Sequence, residues 1–325
     1  MLGFILRRIL FVIPIMFGVT VIIFTLRALT PGDPVDQLRP PGIATEQQRE
    51  EMRHQLGLDR PLPIQFVRYV AGVFTGDLGI SFQTLQPVLP ELLRRLPVSL
   101  SISFGGVAIG VMIGIPLGIL SALKQYTWAD SSILFVTILA ASTPGFVLGL
   151  ILIMIFAVNL RWLPAVGIAN PLGYIMPIAT IAVGTLSQYT RISRSSMLEV
   201  VRQDYIRTAR AKGQTELAIT MRHAIRNAVI PVVAAAGVTM SIQLGGAFIV
   251  ESVFGVPGIG RYMADSISIR DFPVIQGGVV LLAFMFTIIN LLIDLVFIAI
   301  NPRLKTSIIN IARKKKAKSP AKTAV

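Results

Sequence analysis

The sequence has 325 residues, 54% of them hydrophobic and only 14% charged, with a formal net charge of +14 and no cysteine. Soluble domains carry about 45–50% apolar residues and about a quarter charged ones, so an ordinary soluble globular domain is excluded, as are disulfides and thiolate metal sites. The positive charge alone would suit a nucleic-acid partner or a membrane topology signal, and its placement along the chain distinguishes the two.

The apolar residues fall in long blocks. A bilayer core about 30 Å thick needs roughly 20 of them in a helix, and the stretches 9–29, 98–123, 131–158, 175–196, 229–250 and 276–300 qualify. They predict an all-α membrane protein with six transmembrane helices. Arg7 and Arg8 precede the first stretch, which is longer than a signal-peptide core and lacks a small-residue cleavage site after it. Residues 1–29 are therefore read as an N-terminal segment and a retained first span.

Residues 30–97 form the segment between the first two spans, expected outside the membrane and structured. Thr45 with Gln48 has the form of a capping box, and Gly57 followed by Pro61 closes the helix between. A second helical pattern covers Ile64 to Phe74. From Pro87 to Leu96, Leu89, Leu92, Leu93 and Leu96 oppose Glu91, Arg94 and Arg95, which predicts an amphipathic helix in the external interface. Segments of this length often carry function; a cover over one end of the bundle is the plainer alternative.

Gly106, Gly110, Gly114 and Gly118 recur every four residues in the second span, a ridge of small residues that lets two helix backbones approach closely. Pro14, Pro116, Pro144 and Pro177 sit in or at the ends of spans and are expected to bend them. Asp294 is a carboxylate well within the last span, hence a functional candidate, although its place near the interface also suits pairing with a basic group. Gln188, Gln243 and Asn290, with Thr239, Ser241 and Thr287, are neutral polar residues that can line a wet pathway or join helices.

All eight lysines are Lys124, Lys212, Lys305, Lys314, Lys315, Lys316, Lys318 and Lys322. With a cytoplasmic N-terminus, six spans put every one of them in the cytoplasm. That is the asymmetry of an inner-membrane protein with both termini inside, so the charge reports topology rather than nucleic-acid binding. The basic tail 301–325 is expected to be solvated or to touch anionic lipid.

Residues 197–228 form the cytoplasmic loop with the most to say. Val201, Tyr205 and Ala209 are spaced for one helical face, and Gly213 can end the helix in the left-handed conformation with Arg210 and Lys212 in its last turn. A second amphipathic helix follows with Leu217, Met221 and Ile225 spaced by four. A helix–glycine–helix between two spans offers a surface for another protein; a solvated basic hairpin is the alternative.

The run Asp204-Tyr205-Ile206-Arg207-Thr208-Ala209-Arg210-Ala211-Lys212-Gly213 resembles the "EAA" loop of binding-protein-dependent ABC importer permeases, in the form found in the dipeptide/oligopeptide/nickel subfamily (B-type subunit). Arg207 and Thr208 stand where Glu and Ala are general, and the stretch from Gly213 to Pro231 is longer than general; both departures fit the subfamily. The resemblance extends over Pro31-Gly32-Asp33-Pro34, Leu56 to Pro61, Gly76-Asp77-Leu78-Gly79, Gly245 to Glu251, Val253-Phe254, Pro257-Gly258, Arg270 to Pro273 and Asn301-Pro302-Arg303. The last usually begins with Asp, and Val256 replaces a frequent Trp.

The resemblance implies the type I importer permease fold, with residues 98–300 as the permease core. It implies a non-catalytic transport subunit in the bacterial inner membrane whose residues 204–213 form a coupling helix on an ATPase. Partners would be a second homologous permease, two ATPases and an extracytoplasmic solute-binding protein. The chain has no Gly-x-x-x-x-Gly-Lys-Ser/Thr loop, so ATP and Mg would sit on the ATPases and no cofactor or metal in this chain. Relatives carry dipeptides, oligopeptides, glutathione-like thiols, opines or nickel chelates. Against a membrane enzyme, the histidines His54 and His223 fall on opposite sides of the predicted membrane. Against a stand-alone secondary transporter, Asp294 alone is thin support for ion coupling.

Overall fold

The structure is a computed structural model. It describes residues 2–31, 35 and 45–300, and among these the side chains of all but 2–9, 56, 294 and 296–300. The Asp294 side chain, the tail 301–325 with Asn301-Pro302-Arg303, and Gly32-Asp33-Pro34 lie outside the described residues. Among the described residues regular structure is helical, apart from one antiparallel bridge between Ile80 and Pro87.

Helix α1 (Leu2–Leu29) contains Pro14. Helix α2 (Glu46–Leu56) starts at a capping box in which Thr45 Oγ1 accepts from Gln48 N and the Gln48 side chain accepts from Thr45 N; it ends at Gly57, left-handed at φ 67°. Helix α3 (Leu62–Thr75) begins after Pro61 and ends at left-handed Gly76. Aromatic packing seats α3 on α1: Phe24 meets Phe66 at 5.3 Å edge-on and stacks on Tyr69 at 6.1 Å.

Helix α4 (Val88–Leu123) is a single helix of 36 residues with Pro97 and Pro116 inside it. The amphipathic stretch expected to lie separately in the interface is therefore the first part of this spanning helix. Packing explains the difference. Val88 and Leu92 are fully buried against Leu78, Ile259 and Val274, which points the stretch along the bundle instead of across it.

Helices α5 (Trp128–Ser142) and α6 (Gly145–Leu152), the latter continued by a π-helical turn Ile153–Asn159, meet at a 100° bend. Thr143 and Pro144 occupy the corner in extended conformations, since a residue before proline is pushed out of the helical region and proline itself has no N–H to give. Next come α7 (Ile175–Val201), α8 (Asp204–Ala211) and α9 (Glu216–Ile219), then a π-helical turn Thr220–Ala224 and α10 (Ile225–Gly246). The chain ends in α11 (Phe248–Val253), α12 (Ile259–Ser268) and α13 (Phe272–Ile300).

Among the described residues four helical stretches are long and apolar enough to cross a membrane, Leu10–Leu29, Val88–Leu123, Glu216–Gly246 and Phe272–Ile293, and the bent α5–α6 pair makes a fifth if it is one span. The remaining expected span, the fourth in chain order, is α7, which is long enough but carries Gln188, Arg191, Arg194 and Glu199 on its second half.

The largest helix contact is α4 on α7. All four glycines of the ridge are buried on it. A Cβ on Gly106 would lie 2.5 Å from Ile181 Cβ, on Gly110 2.8 Å from Thr185 Cβ, on Gly114 2.9 Å from the Leu186 carbonyl oxygen, and on Gly118 2.6 Å from Ser193 Cβ.

The two ends of α4 mark the two ends of the bundle, about 50 Å apart at 1.5 Å per residue. At the loop end two buried carboxylates bond segments distant in sequence. Asp271, just before α13, accepts from Ser81 Oγ at 2.6 Å and Phe82 N at 3.0 Å, fastening the turn after α3. Glu251, fully buried, accepts from Ser99 Oγ at 2.6 Å and from Arg261 N at 2.9 Å, while Ile259 N donates to Ser99 Oγ. Its charge thus sits at the positive N-terminus of α12. A side chain at Gly258 would run into that carboxylate, which is why glycine precedes the helix.

Candidate functional site: the hairpin between α7 and α10

At the opposite end the chain leaves α7 at Val201, turns through Arg202, and restarts at Gln203, whose extended backbone (ψ 150°) begins α8. This restart breaks the register between Val201 and Tyr205. The buried face of α8 is Ile206 and Ala209, with Tyr205 44% exposed, so the expected shared face of Val201, Tyr205 and Ala209 does not form. Ile206 and Ala209 pack with Ala122, Met197, Ile219, Ala224 and Ala228, a cluster that fixes the hairpin to the ends of α4, α7 and α10. Alanines on four of the elements keep the approach close.

Gly213 closes α8 in the left-handed region at φ 74°, with its N–H bonded to the Arg210 carbonyl. A Cβ there would meet no atom within 4 Å, so the demand for glycine is conformational rather than steric. Arg210 clasps the turn: its Nε and Nη2 donate to the two Glu216 oxygens at 2.6 and 3.1 Å. Thr215 Oγ1 accepts from Ala218 N and caps α9. Asn227 Nδ2 donates to Tyr205 Oη at 3.1 Å, tying α8 to α10. Asp204, Arg207, Thr208, Ala211 and Lys212 are exposed, and Thr208 Oγ1 donates to its own helix at Asp204 O.

The second helix presents Leu217 and Met221 outward. Leu217 and Met221 are 74% and 63% exposed, while Ile219, Thr220 and Ala224 face inward. Two apolar faces compete in this stretch, and the alanine-rich cluster admits the narrower one. With Tyr205, the outward Leu217 and Met221 leave the hairpin with exposed apolar side chains, the latter two in the first turns of the Glu216–Gly246 stretch. Exposed apolar groups of this kind mark contact surfaces.

One buried ion pair braces the seat of the hairpin and has no counterpart in the sequence expectations. Arg194 on α7 holds Asp130 at the start of α5 with Nε to Oδ1 at 2.9 Å and Nη2 to Oδ2 at 2.8 Å. Asp130 also accepts from Ser121 Oγ at the end of α4 and from Tyr126 N. Arg194→Ala would leave that carboxylate buried without a cation, which costs about 3–5 kcal/mol. The variant should melt well below the wild type in a thermal assay of the detergent-purified protein, and Asp130→Asn added to it should recover part of the loss. A wild-type melting temperature for Arg194→Ala would remove the pair from the account.

Of the residues expected to line a pathway, Gln188 borders a cavity of about 270 Å³ with Thr143, Thr180 and Arg191, in the crook of the α5–α6 bend. Gln243 and Asn290 are half-buried on α10 and α13 and do not border it. Asn290 Nδ2 donates within its own helix to Phe286 O at 2.8 Å. Among the described residues no group of three or more His, Asp or Glu side chains is arranged to hold a metal ion.

Comparison with known proteins matches this architecture. Residues 114–306 match the family described as the binding-protein-dependent transport system inner membrane component, and residues 1–103 match the N-terminal domain of such membrane components. The glutathione transport system permease protein GsiC of Escherichia coli (strain K12) is 38% identical over 305 residues, 94% of this chain and 99% of that protein. GsiC of Salmonella paratyphi A is 40% identical over the same coverage. Two inward-facing structures of the MetNI methionine ABC transporter share the fold, at TM-scores of 0.53 and 0.55 with 19% and 21% identity, covering 65% and 66% of this chain and 96% and 98% of those chains. The chain belongs to the binding-protein-dependent transport system inner membrane component family and is a permease subunit of an ABC importer.

Proposed function

We propose that this permease imports small peptides or peptide-like solutes, with glutathione, a modified tripeptide, the first cargo to test. The observation that carries the coupling part of the reading is the α8–Gly213–α9 hairpin, a rigid body held to three spans with an apolar patch facing outward. ATPase subunits would dock on Tyr205, Arg207, Leu217 and Met221, and their ATP-driven closure would move the ends of α4, α7 and α10 together. The hairpin end is then cytoplasmic, as are both termini, and six spans follow with α7 as the fourth. The polar side of α7, with Gln188 and Arg191, faces water or a second homologous permease and not lipid. The α2–α3 segment meets the solute-binding protein on the outer side. The 38–40% identity to glutathione permeases over nearly the whole chain favours peptide-like cargo over nickel chelates or opines.

The test is uptake by liposomes containing the permease, its partner permease and the ATPases, with the binding protein added. ATP-dependent accumulation of labelled glutathione or dipeptide that needs the binding protein is expected. Uptake driven by an ion gradient without ATP would overturn the reading.

A further inference from the structure

At the loop end, α1, α3, the turn after α3 and the start of α13 enclose a cavity of about 280 Å³ that transport coupling leaves unused. Two buried hydrogen-bond donors on its walls have no partner among the described residues. Gln276 on α13 is 3% exposed, and its Nε2 has no partner among the described residues. Tyr69 Oη, on α3, is buried and likewise has no partner among the described residues. Arg27, half-buried two residues before the end of α1, and Arg68 on α3 border the same space, and neither makes an ion pair among the described residues. Asp77 is the acidic residue on the wall, and its Oδ1 already accepts from Gly79 N at 3.0 Å. Burial pushes the Tyr69 phenol up from its ordinary value, partly offset by Arg27, so it is a protonated donor at neutral pH.

A buried donor left unpaired keeps the full cost of its lost hydration. Two such donors and two unpaired guanidinium groups around one space select a guest that brings negative charge and several acceptor oxygens. Arginine forks fit phosphate bidentately. The surroundings are apolar: Leu26 and Leu29 on α1 and Leu62, Val67 and Phe74 on α3 are all more than half exposed. A cationic, donor-lined cavity at the end of a membrane span, with apolar side chains outside it, is placed where headgroups meet acyl chains.

We propose that this cavity binds the phosphate of a phospholipid headgroup, held by Arg27, Arg68, Tyr69 and Gln276, with its acyl chains along the apolar outer faces of α1 and α3. Free phosphate offers the same chemistry without the chains, and the experiment separates the two. The site is independent of the cargo and of the ATPase-docking surface.

The assembled transporter, purified in mild detergent, is titrated with phosphatidylglycerol and its retained lipids are counted by native mass spectrometry. The wild type should hold one phospholipid more than the Arg27→Gln, Arg68→Gln double variant. Tyr69→Phe, which removes one hydroxyl and leaves the ring on Phe24, should weaken retention severalfold while the ATPases stay bound. Excess inorganic phosphate should leave the retained lipid in place. Equal retention by the wild type and Tyr69→Phe would overturn the proposal even if the double variant fails to assemble. Displacement of the lipid by inorganic phosphate, or phosphate stabilising the lipid-free wild type and not Tyr69→Phe, would overturn the lipid assignment in favour of a free-anion site.

Discussion

With Leu217→Asp and Met221→Asp combined, the permease should reach the membrane intact and lose its ATPase subunits. Both side chains are mostly exposed in the free chain, so charging them puts no carboxylate into the core. The seat of the hairpin is elsewhere, in Ile206, Ala209, Ile219 and Ala224, and is untouched. In a complex that covers the patch, each new carboxylate would be stripped of water without a partner, at several kcal/mol per ion. A tenfold change in affinity is about 1.4 kcal/mol, so docking should weaken by more than about a hundredfold. Co-purification of the ATPases with the tagged permease reads the effect. Wild-type recovery of the ATPases with the double variant would move the docking surface away from this face.

That experiment turns on a feature the sequence leaves open. The four-residue spacing of Leu217, Met221 and Ile225 identifies an amphipathic helix and says nothing about which neighbour it meets. Ile219, Ala224 and Ala228 form a second apolar face, and only the packing partners Ala122 and Ala209, distant in sequence, choose between them. Tyr205 and Ile206 exchange roles for a related reason. Periodicity run on from Val201 assumes one helix, whereas the chain restarts at Gln203. Gly213 is legible because a left-handed helix end is a local property, set by glycine and the turn before it.

The same division holds for the fold. The capping box at Thr45, the closing Gly57 and the corner at Pro144 depend on residues within a few positions of one another, and each is found where the sequence puts it. The continuity of α4 through Pro97 is not local, since Leu78, Ile259 and Val274 decide its direction. Asp130, Glu251 and Asp271 show no signal of their own as buried carboxylates. Their partners Arg194, Ser99 and Ser81 lie 64, 152 and 190 residues away, and charge patterning along a chain does not reach that far. The cavity beside Tyr69 is of this kind too, because its four donors come from three helices.

The glycine ridge allows a structural effect to be predicted with an internal control. Gly110→Ala places a methyl 2.8 Å from Thr185 Cβ and 3.0 Å from the Leu186 backbone nitrogen, contacts that no rotamer change relieves. Helices α4 and α7 must separate, and they carry the most extensive contact in the bundle. Overpacking a fitted site costs about 1–3 kcal/mol, and in lipid no hydrophobic drive compensates for a lost close approach. The partner helix supplies the control. Gly184, one residue before Thr185, has nothing within 4 Å of a built Cβ, so Gly184→Ala adds helix propensity at no steric cost and should be neutral or stabilising by up to about 1 kcal/mol. In fluorescence-detected size exclusion after a heat step, Gly110→Ala should lose most of its monodisperse peak at a temperature where wild type and Gly184→Ala keep theirs. Thr185→Gly removes the atoms in the way and should restore part of the peak to Gly110→Ala while weakening the wild type, the opposite signs marking direct contact. Equal heat resistance of Gly110→Ala and Gly184→Ala would mean that α4 and α7 stand farther apart in the membrane than their backbones do here.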